Sequence, residues 1–463
     1  MIFVAILLVL ACFAFLPGAR AACNEGCGSN FNTFEGENAL NSNTSGFANS
    51  AFGWFALFGN IAGSNNTAFG AGALDLNTAD NNTGVGTAAL LLNTTGIDNT
   101  AVGTAALVFN NTGEGNTATG AFALNVNTEG DFNTANGEFT LANNTLGERN
   151  TCIGNSAAFL NTEGNRNTVV GNAALLFNQI GNDNVAVGQG ALFFNTEDGN
   201  TAVGSNALSV NTTGISNVAV GLNALEANTT GSENVAVGIG ALSNVTTGGF
   251  NTCLGGIAGA AITTGQFNTI IGDIAGLFVT TASNTICIGG SGINVSGTTQ
   301  IGNIRGVATV NNNAVPVLVD SAGQLGTISS SRRFKKDIEP MKTASEVLLA
   351  LKPVTFHYKS DSKNRPEYGL IAEEVAQVNP DLVVRNDDGE IYTVRYEAVN
   401  AMLLNEFLKA HKKMEAQEAT ITELKSALAK QQKGMEALTA QVEKVSAQIQ
   451  VTKPAPQVAA NNE

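Results

Sequence analysis

The residues best placed to do chemistry in this chain are Ser330 and Lys335. A serine hydroxyl is a weak nucleophile until a neighbouring base takes its proton, and an amine can be that base. Their setting is Ser329-Ser330-Ser331-Arg332-Arg333-Phe334-Lys335-Lys336-Asp337-Ile338. Taken alone, Ser and Lys five apart is a weak signal, because a Ser-rich linker ahead of a solvated basic turn reads the same way. Other chemistries are poorly supplied. His357 and His411 are far apart in sequence, and no cluster has zinc-ligand spacing. Acidic residues such as Glu129, Asp131, Glu163, Asp183, Glu197, Asp198 and Glu233 fall mostly in turn regions. They form no obvious pair of the kind glycoside hydrolysis needs. The G-G-x-G-x-D pattern of calcium-binding rolls is absent, and no cofactor is implied.

The elements that must position this segment are announced by a glycine. It recurs at Gly53, Gly70, Gly86, Gly103, Gly120, Gly137, Gly154, Gly171, Gly188, Gly204, Gly221, Gly238, Gly255, Gly272 and Gly289. Two of the steps are sixteen residues and the rest are seventeen. A unit this short cannot bury a core alone, so units must stack as a solenoid. The template is N-T-A-V-G-x-x-A-L-x-x-N-T-x-G, as in Asn99 to Gly113. Two short β-prone runs per unit, each ended by an Asn or Gly turn, predict one coil of a parallel β-solenoid or β-roll. Stacked Asn side chains can form hydrogen-bonded ladders along it. Neighbours such as Ala101 and Val102 face opposite ways on a strand, and both are apolar in most units. One fills the coil. The other must meet a second surface, and the simplest is an identical chain. A Thr-x-Thr face suited to ice is missing, since each strand offers one Thr beside Asn. The N-T-A-V-G-x-x-A-L pattern resembles the head repeats of trimeric autotransporter adhesins over about residues 45–290, with a longer unit. That resemblance implies a left-handed β-roll packed three at a time.

Composition agrees with a rod. Charged residues are 13% of the chain, against roughly 25% in average soluble proteins. A net charge of −15 argues against a nucleic-acid partner. Ile2 to Phe15 is almost entirely apolar, Pro17-Gly18 follows, and Ala19-Arg20-Ala21 offers a cleavage site. Residues 1–22 therefore read as a secretory signal that lacks a basic start, with no transmembrane span after its removal. Cys23 and Cys27 could pair in an oxidising compartment. Cys152, Cys253 and Cys287 each sit two residues before a repeat glycine, in a slot otherwise filled by Ala or Val, and read as small core residues.

The period stops near Gly290, and residues 291–328 read as a connector of short strands. At Ser329 the composition becomes charged and ordinary. Ordered blocks follow: Leu351-Lys352-Pro353-Val354-Thr355-Phe356, then Tyr368-Gly369-Leu370-Ile371-Ala372-Glu373-Glu374-Val375. This run resembles the intramolecular chaperone at the C-terminus of phage tailspikes and endosialidases, a serine autoprotease family. The family's opening S-x-x-R-[LF]-K-x-x-I falls on Ser330, Arg333, Phe334, Lys335 and Ile338. Ser331 stands where many relatives have Asp, and Glu373 where Gln is common. The resemblance implies a Ser-Lys dyad. Ser330 is the nucleophile on the carbonyl of Ser329 and Lys335 the general base, so that the Ser329–Ser330 bond is cut once. A base must be neutral. The positive charge of Arg332, Arg333 and Lys336, with burial in a trimer, favours that form.

Residues 400–450 lack proline, and apolar positions recur three and four apart from Leu403 and Phe407 to Val445 and Ile449. This is a heptad seam, interrupted at one heptad position by Gln417 and Gln431. Three strands fit the resemblance, while the heptads alone admit two, or a lone helix packed back on the globular part. The expected fold is mostly β, a parallel β-solenoid of about fifteen 17-residue coils, then a small α/β chaperone domain and a trimeric coiled coil. The expected boundaries are 1–22 signal, 23–44 N-terminal cap, 45–290 rod, 291–328 connector, 329–400 chaperone and autoprotease, 401–450 coiled coil and 451–463 disordered tail. The expected function is a secreted or surface homotrimeric fibre, with a receptor or glycan bound along the rod. A virion tail fibre or tailspike, or a fibre with an uncleaved trimerisation cap, are the alternatives.

Overall fold

The structure is a computed structural model that describes residues 24–27, 30–305, 307–310, 314–320, 322–386 and 388–451. The expected signal, Cys23 and residues 452–463 lie outside the described residues, as does the side chain of Cys27. The chain divides into two units, 1–308 and 309–463.

The first unit is a solenoid. A short strand recurs once per coil, four residues in β2 (Thr33–Gly36) and three in each later one, from β3 (Ser50–Phe52) through β6 (Thr100–Val102) and β10 (Thr168–Val170) to β18 (Thr299–Ile301). Each pairs in parallel with the next, in a register that sets Thr100 beside Thr117 and Ala101 beside Ala118. A short first strand, β1 (Asn24–Cys27), lies antiparallel to β2 and covers the edge that a ladder would otherwise leave open. The ladder takes in Thr33–Gly36 and Thr299–Ile301, beyond the span of 45–290 where the sequence period is clean. Those end coils keep the alternation but lose the full template.

From β3 to the strand before β18 the middle residue points into the coil and is fully buried, as at Ala101, Cys152, Val169, Cys253 and Cys287. Leu57, Leu74, Leu107 and Leu175 fill the interior from the other wall. The two walls touch: a Cβ added at Gly84 would sit 3.3 Å from the Leu74 side chain. That opposite wall departs from the sequence reading, which expected a second strand there. The run from Gly103 to Phe109 is a series of turns. Two of its residues are left-handed, Ala105 at φ 57° and Leu107 at φ 51°. Each such residue costs on the order of 1–2 kcal/mol. The cost is offset because the turn bonds both neighbours: Ala105 N–H donates to Thr87 O (2.9 Å) and Leu107 N–H to Ala123 O (3.0 Å). β-Propensity in A-L-x-x could not reveal this, since the backbone alternation serves coil-to-coil bonding rather than extension.

Two asparagine ladders close the corners. Asn99 and Asn110 both donate to Gly113 O, each at 2.8 Å. The Asn99 side-chain oxygen accepts from Asn116 N–H (3.0 Å), and Asn110 donates to Asn93 (2.7 Å). All four are fully buried. The amide supplies a donor and an acceptor at one site, whereas an ionised Asp only accepts and a Leu does neither. In the sixteen-residue coils the turn is one residue shorter. Asn82 then bonds Asn77 in its own coil, and Asn200 bonds Asn195. The repeat glycine is required by contact. At Gly103 φ is +139°, and a Cβ would lie 2.5 Å from Gly120 O.

The second unit is small. It holds hairpins β19–β20 (Leu318–Val319, Leu325–Gly326), β21–β22 (Val354–Phe356, Glu367–Gly369) and β23–β24 (Val383–Arg385, Ile391–Val394). With them are a 3-10 segment (Lys342–Ala350), a short helix α1 (Ala372–Val378) and a long helix α2 (Tyr396–Val451). Val375, Leu382, Val383 and Val394 form its core. From Met414 to Ile449 the apolar seam of α2 is half or more exposed, so it does not pack back on its own unit.

Candidate active site

Ser329, Ser330 and Ser331 run extended into a single 3-10 turn at Arg332–Phe334. Phe334 N–H donates to Ser331 O and Lys335 N–H to Arg332 O, both at 3.1 Å. This turn reverses the chain, and Lys335 leaves it extended, with its side chain directed back toward Ser330. The Lys335 Nζ lies 3.4 Å from Ser330 Oγ. A separation of five is therefore what one tight turn plus one lysine stem requires. The Ser329 Oγ accepts from Ser331 N–H at 3.2 Å, which pins the two peptide planes flanking Ser330. The Arg333 guanidinium stacks over the Phe334 ring, 4.7 Å from its centre.

Every residue from Ser329 to Ile338 is exposed in the single chain, with Phe334 at 66% and Ile338 at 51%. Two large apolar side chains beside a solvated Ser-Lys pair leave room for a covering surface. The geometry can pass a proton between Oγ and Nζ once water is excluded.

The downstream blocks pack on the start of the long helix. Leu370 N–H donates to the Tyr396 hydroxyl at 3.0 Å, and a Cβ at Gly369 would lie 2.8 Å from that oxygen. The glycine of the Tyr368-Gly369-Leu370 block thus makes space for the start of α2. The 3-10 segment is tied to the same helix by a polar network that local sequence did not reveal. Ser345 is fully buried and donates to Glu406, Asn405 donates to Ser345 Oγ (2.7 Å), and Lys409 bonds Glu406 (2.7 Å) and Glu346 (3.2 Å). Lys409, then Ser345, hold the Glu406 carboxyl below the usual range. The only hint in the sequence is a set of polar residues off the seam in the first turns of the helix.

Residues 330–384 match the family model described as chaperone of endosialidase, Peptidase_S74. No curated protein and no solved structure matches the chain. The matched span begins at Ser330 and takes in the hairpin, the Tyr368 block and α1.

In the rod, acidic side chains do structural work. Asp131 accepts from Glu114 N–H (2.8 Å) and Asp198 from Asn182 N–H (2.7 Å), while Asp183 pairs with Arg166 at 2.6 Å. Among the described residues no group of three His, Cys, Asp or Glu could hold a metal. No helix among them is long and apolar enough to cross a membrane.

Proposed function

We propose that the chain is one protomer of a secreted or surface homotrimeric fibre whose C-terminal unit drives assembly and then cuts itself off. The observation that carries this reading is the pairing of two things in one chain: a periodic parallel solenoid, and a chaperone-of-endosialidase segment that starts at Ser330. Parallel ladders form slowly and expose edges that aggregate. An identical coil every 17 residues also offers many wrong registers. A device that gathers three chains at one end removes both problems. The exposed seam of α2 supplies it, with Gln417 and Gln431 restricting register.

In the cut, Ser330 Oγ attacks the Ser329 carbonyl carbon as Lys335 takes the hydroxyl proton. The C–N bond breaks, the Ser330 nitrogen leaves as an amine with that proton, and an ester joins Ser329 to Ser330 Oγ. Water then hydrolyses the ester, leaving a Ser329 carboxylate and a released chaperone that begins at Ser330. Assembly turns the step on by covering Phe334, Ile338 and the dyad, which removes water and favours the neutral amine. Each chain reacts once. The apolar run at Ile2 to Phe15 favours a secreted fibre over a virion part.

The reading is tested by ending the chain at Ser329. The full chain gives soluble particles with the mass of three rods by light scattering. The shortened chain gives single chains or aggregate. Equal yields of assembled rod from both would remove the chaperone role.

A further inference from the structure

A parallel sheet is found almost always with both faces covered. Here the inner face is covered by the turn wall, while the outer face is open along its whole length. It is made of two outward rows, the first and third residues of each strand. The third-residue row runs through Phe69 (60% exposed), Val102 (38%), Ile153 (43%), Val237 (39%) and Ile288 (39%). From Ser50 to Ile301 neither row contains a charged residue. Across the sixteen strands from β3 to β18, the third-residue row is apolar except at two adjacent coils, Thr119 and Asn136.

We infer that this outer face is where copies of the chain meet, and that Thr119 and Asn136 form a polar layer that keys their register. The inference rests on the fibre reading and adds to it the surface and the residues that align it. At ~4.8 Å per coil the face is roughly 75 Å long and ~10 Å wide. In a three-chain fibre that is about 750 Å² on each chain, shared between its two neighbours, in the range of a small specific interface when both contacts are counted. A second copy is the occupant that fits. It carries the same coil spacing, and its own polar pair arrives at the same height only when the chains are level. Slipping by one coil buries Thr119 or Asn136 against an apolar row without partners, a cost that a uniform row would not impose. A periodic rod otherwise has no mark along its length.

The test uses the full chain. Val170→Cys, in the third-residue row, is treated with a short bis-maleimide and run on a denaturing gel. Phe177→Cys, on the opposite turn wall of the same coil, is the control. Linked chains for Val170→Cys and none for Phe177→Cys are expected. Asn136→Asp then places carboxylates in the shared layer, and Asn143→Asp places one on the turn wall of the same coil. The expected result is a melting temperature that falls by several degrees between pH 4 and pH 8 for Asn136→Asp, beyond any change for Asn143→Asp. Three-chain particles with no linkage at position 170 overturn the interface and leave the fibre reading standing. Linkage at 170 with the same pH response in both Asp variants overturns the polar key alone. A mass of one chain overturns the fibre reading and this inference together.

Discussion

In the proposed cut, Lys335 acts through what an amine can do that a guanidinium cannot. Arg keeps the charge and the reach toward Ser330 but cannot give up its proton in a protein. Lys335→Arg and Ser330→Ala are therefore both expected to slow release of the C-terminal fragment by 100-fold or more, read as a time course on denaturing gels. The Asp75 carboxyl makes a second residue-scale case. It is 9% exposed, its Oδ1 has no donor, and burial raises it to about 6 from 3.8. A carboxyl that binds its proton more tightly when folded stabilises the fold while protonated. That contribution is complete below pH ~4 and lost as pH rises through about 6. Asp75→Asn is expected to add about 1 kcal/mol at pH 7.5, after allowance for partial solvent screening, and nothing at pH 4. Denaturant midpoints at the two pH values check it. The segment that the family model matches from Ser330 was legible because ordered blocks follow that residue. The Ser345–Asn405–Glu406–Lys409 network was not, because its partners are some sixty residues apart and nothing local marks them.

At the scale of elements, the coil is fixed by glycine and asparagine more than by its apolar residues. Gly171 has φ +140°, and a Cβ there would lie 2.6 Å from Gly188 O. Gly171→Ala should cost about 3 kcal/mol or more, since both the backbone region and the space are wrong. Asn133→Ala removes the donor to Gly147 O (2.8 Å) and the acceptor of Asn150 N–H (3.0 Å), both buried. A loss of about 2–3 kcal/mol is expected from the stranded backbone groups. Thermal unfolding of each variant against the parent checks both. The strand of each coil could be read from period and alternation. The opposite wall could not, because residues such as Ala105 and Leu107 are held left-handed by bonds to the coils above and below. No single unit contains those bonds. The ends of the ladder were missed for a related reason: β2 and β18 are recruited by their neighbours with little of the template of their own.

The whole molecule joins a rod marked along its length only at Thr119 and Asn136 to a helix whose apolar seam is marked at Gln417 and Gln431. The solenoid's contacts repeat, so its stability grows with each coil while its alignment does not. The heptads of α2 are aperiodic where it counts, at Gln417 and Gln431. Gln417→Leu with Gln431→Leu is expected to raise the melting temperature of the helical part and to broaden the distribution of particle masses, read by light scattering. In the proposed scheme, loss of the chaperone would leave the rods no easy route back through separated chains, and cutting would convert assembly into kinetic stability. The composition of the chain announced a rod, and the break at Ser329 announced a second part. What the sequence could not show is that Ser330 and Lys335 are exposed in one chain, the observation on which the proposed link between cut and assembly rests.

The most direct test is the intact mass of the purified full chain beside Ser330→Ala. Two fragments that meet at the Ser329–Ser330 bond are expected, present only when the sample has assembled, with a single uncut chain in the variant. One full-length mass in both, in particles of three chains, would contradict the proposed cut and leave the C-terminal unit as a retained trimerisation cap.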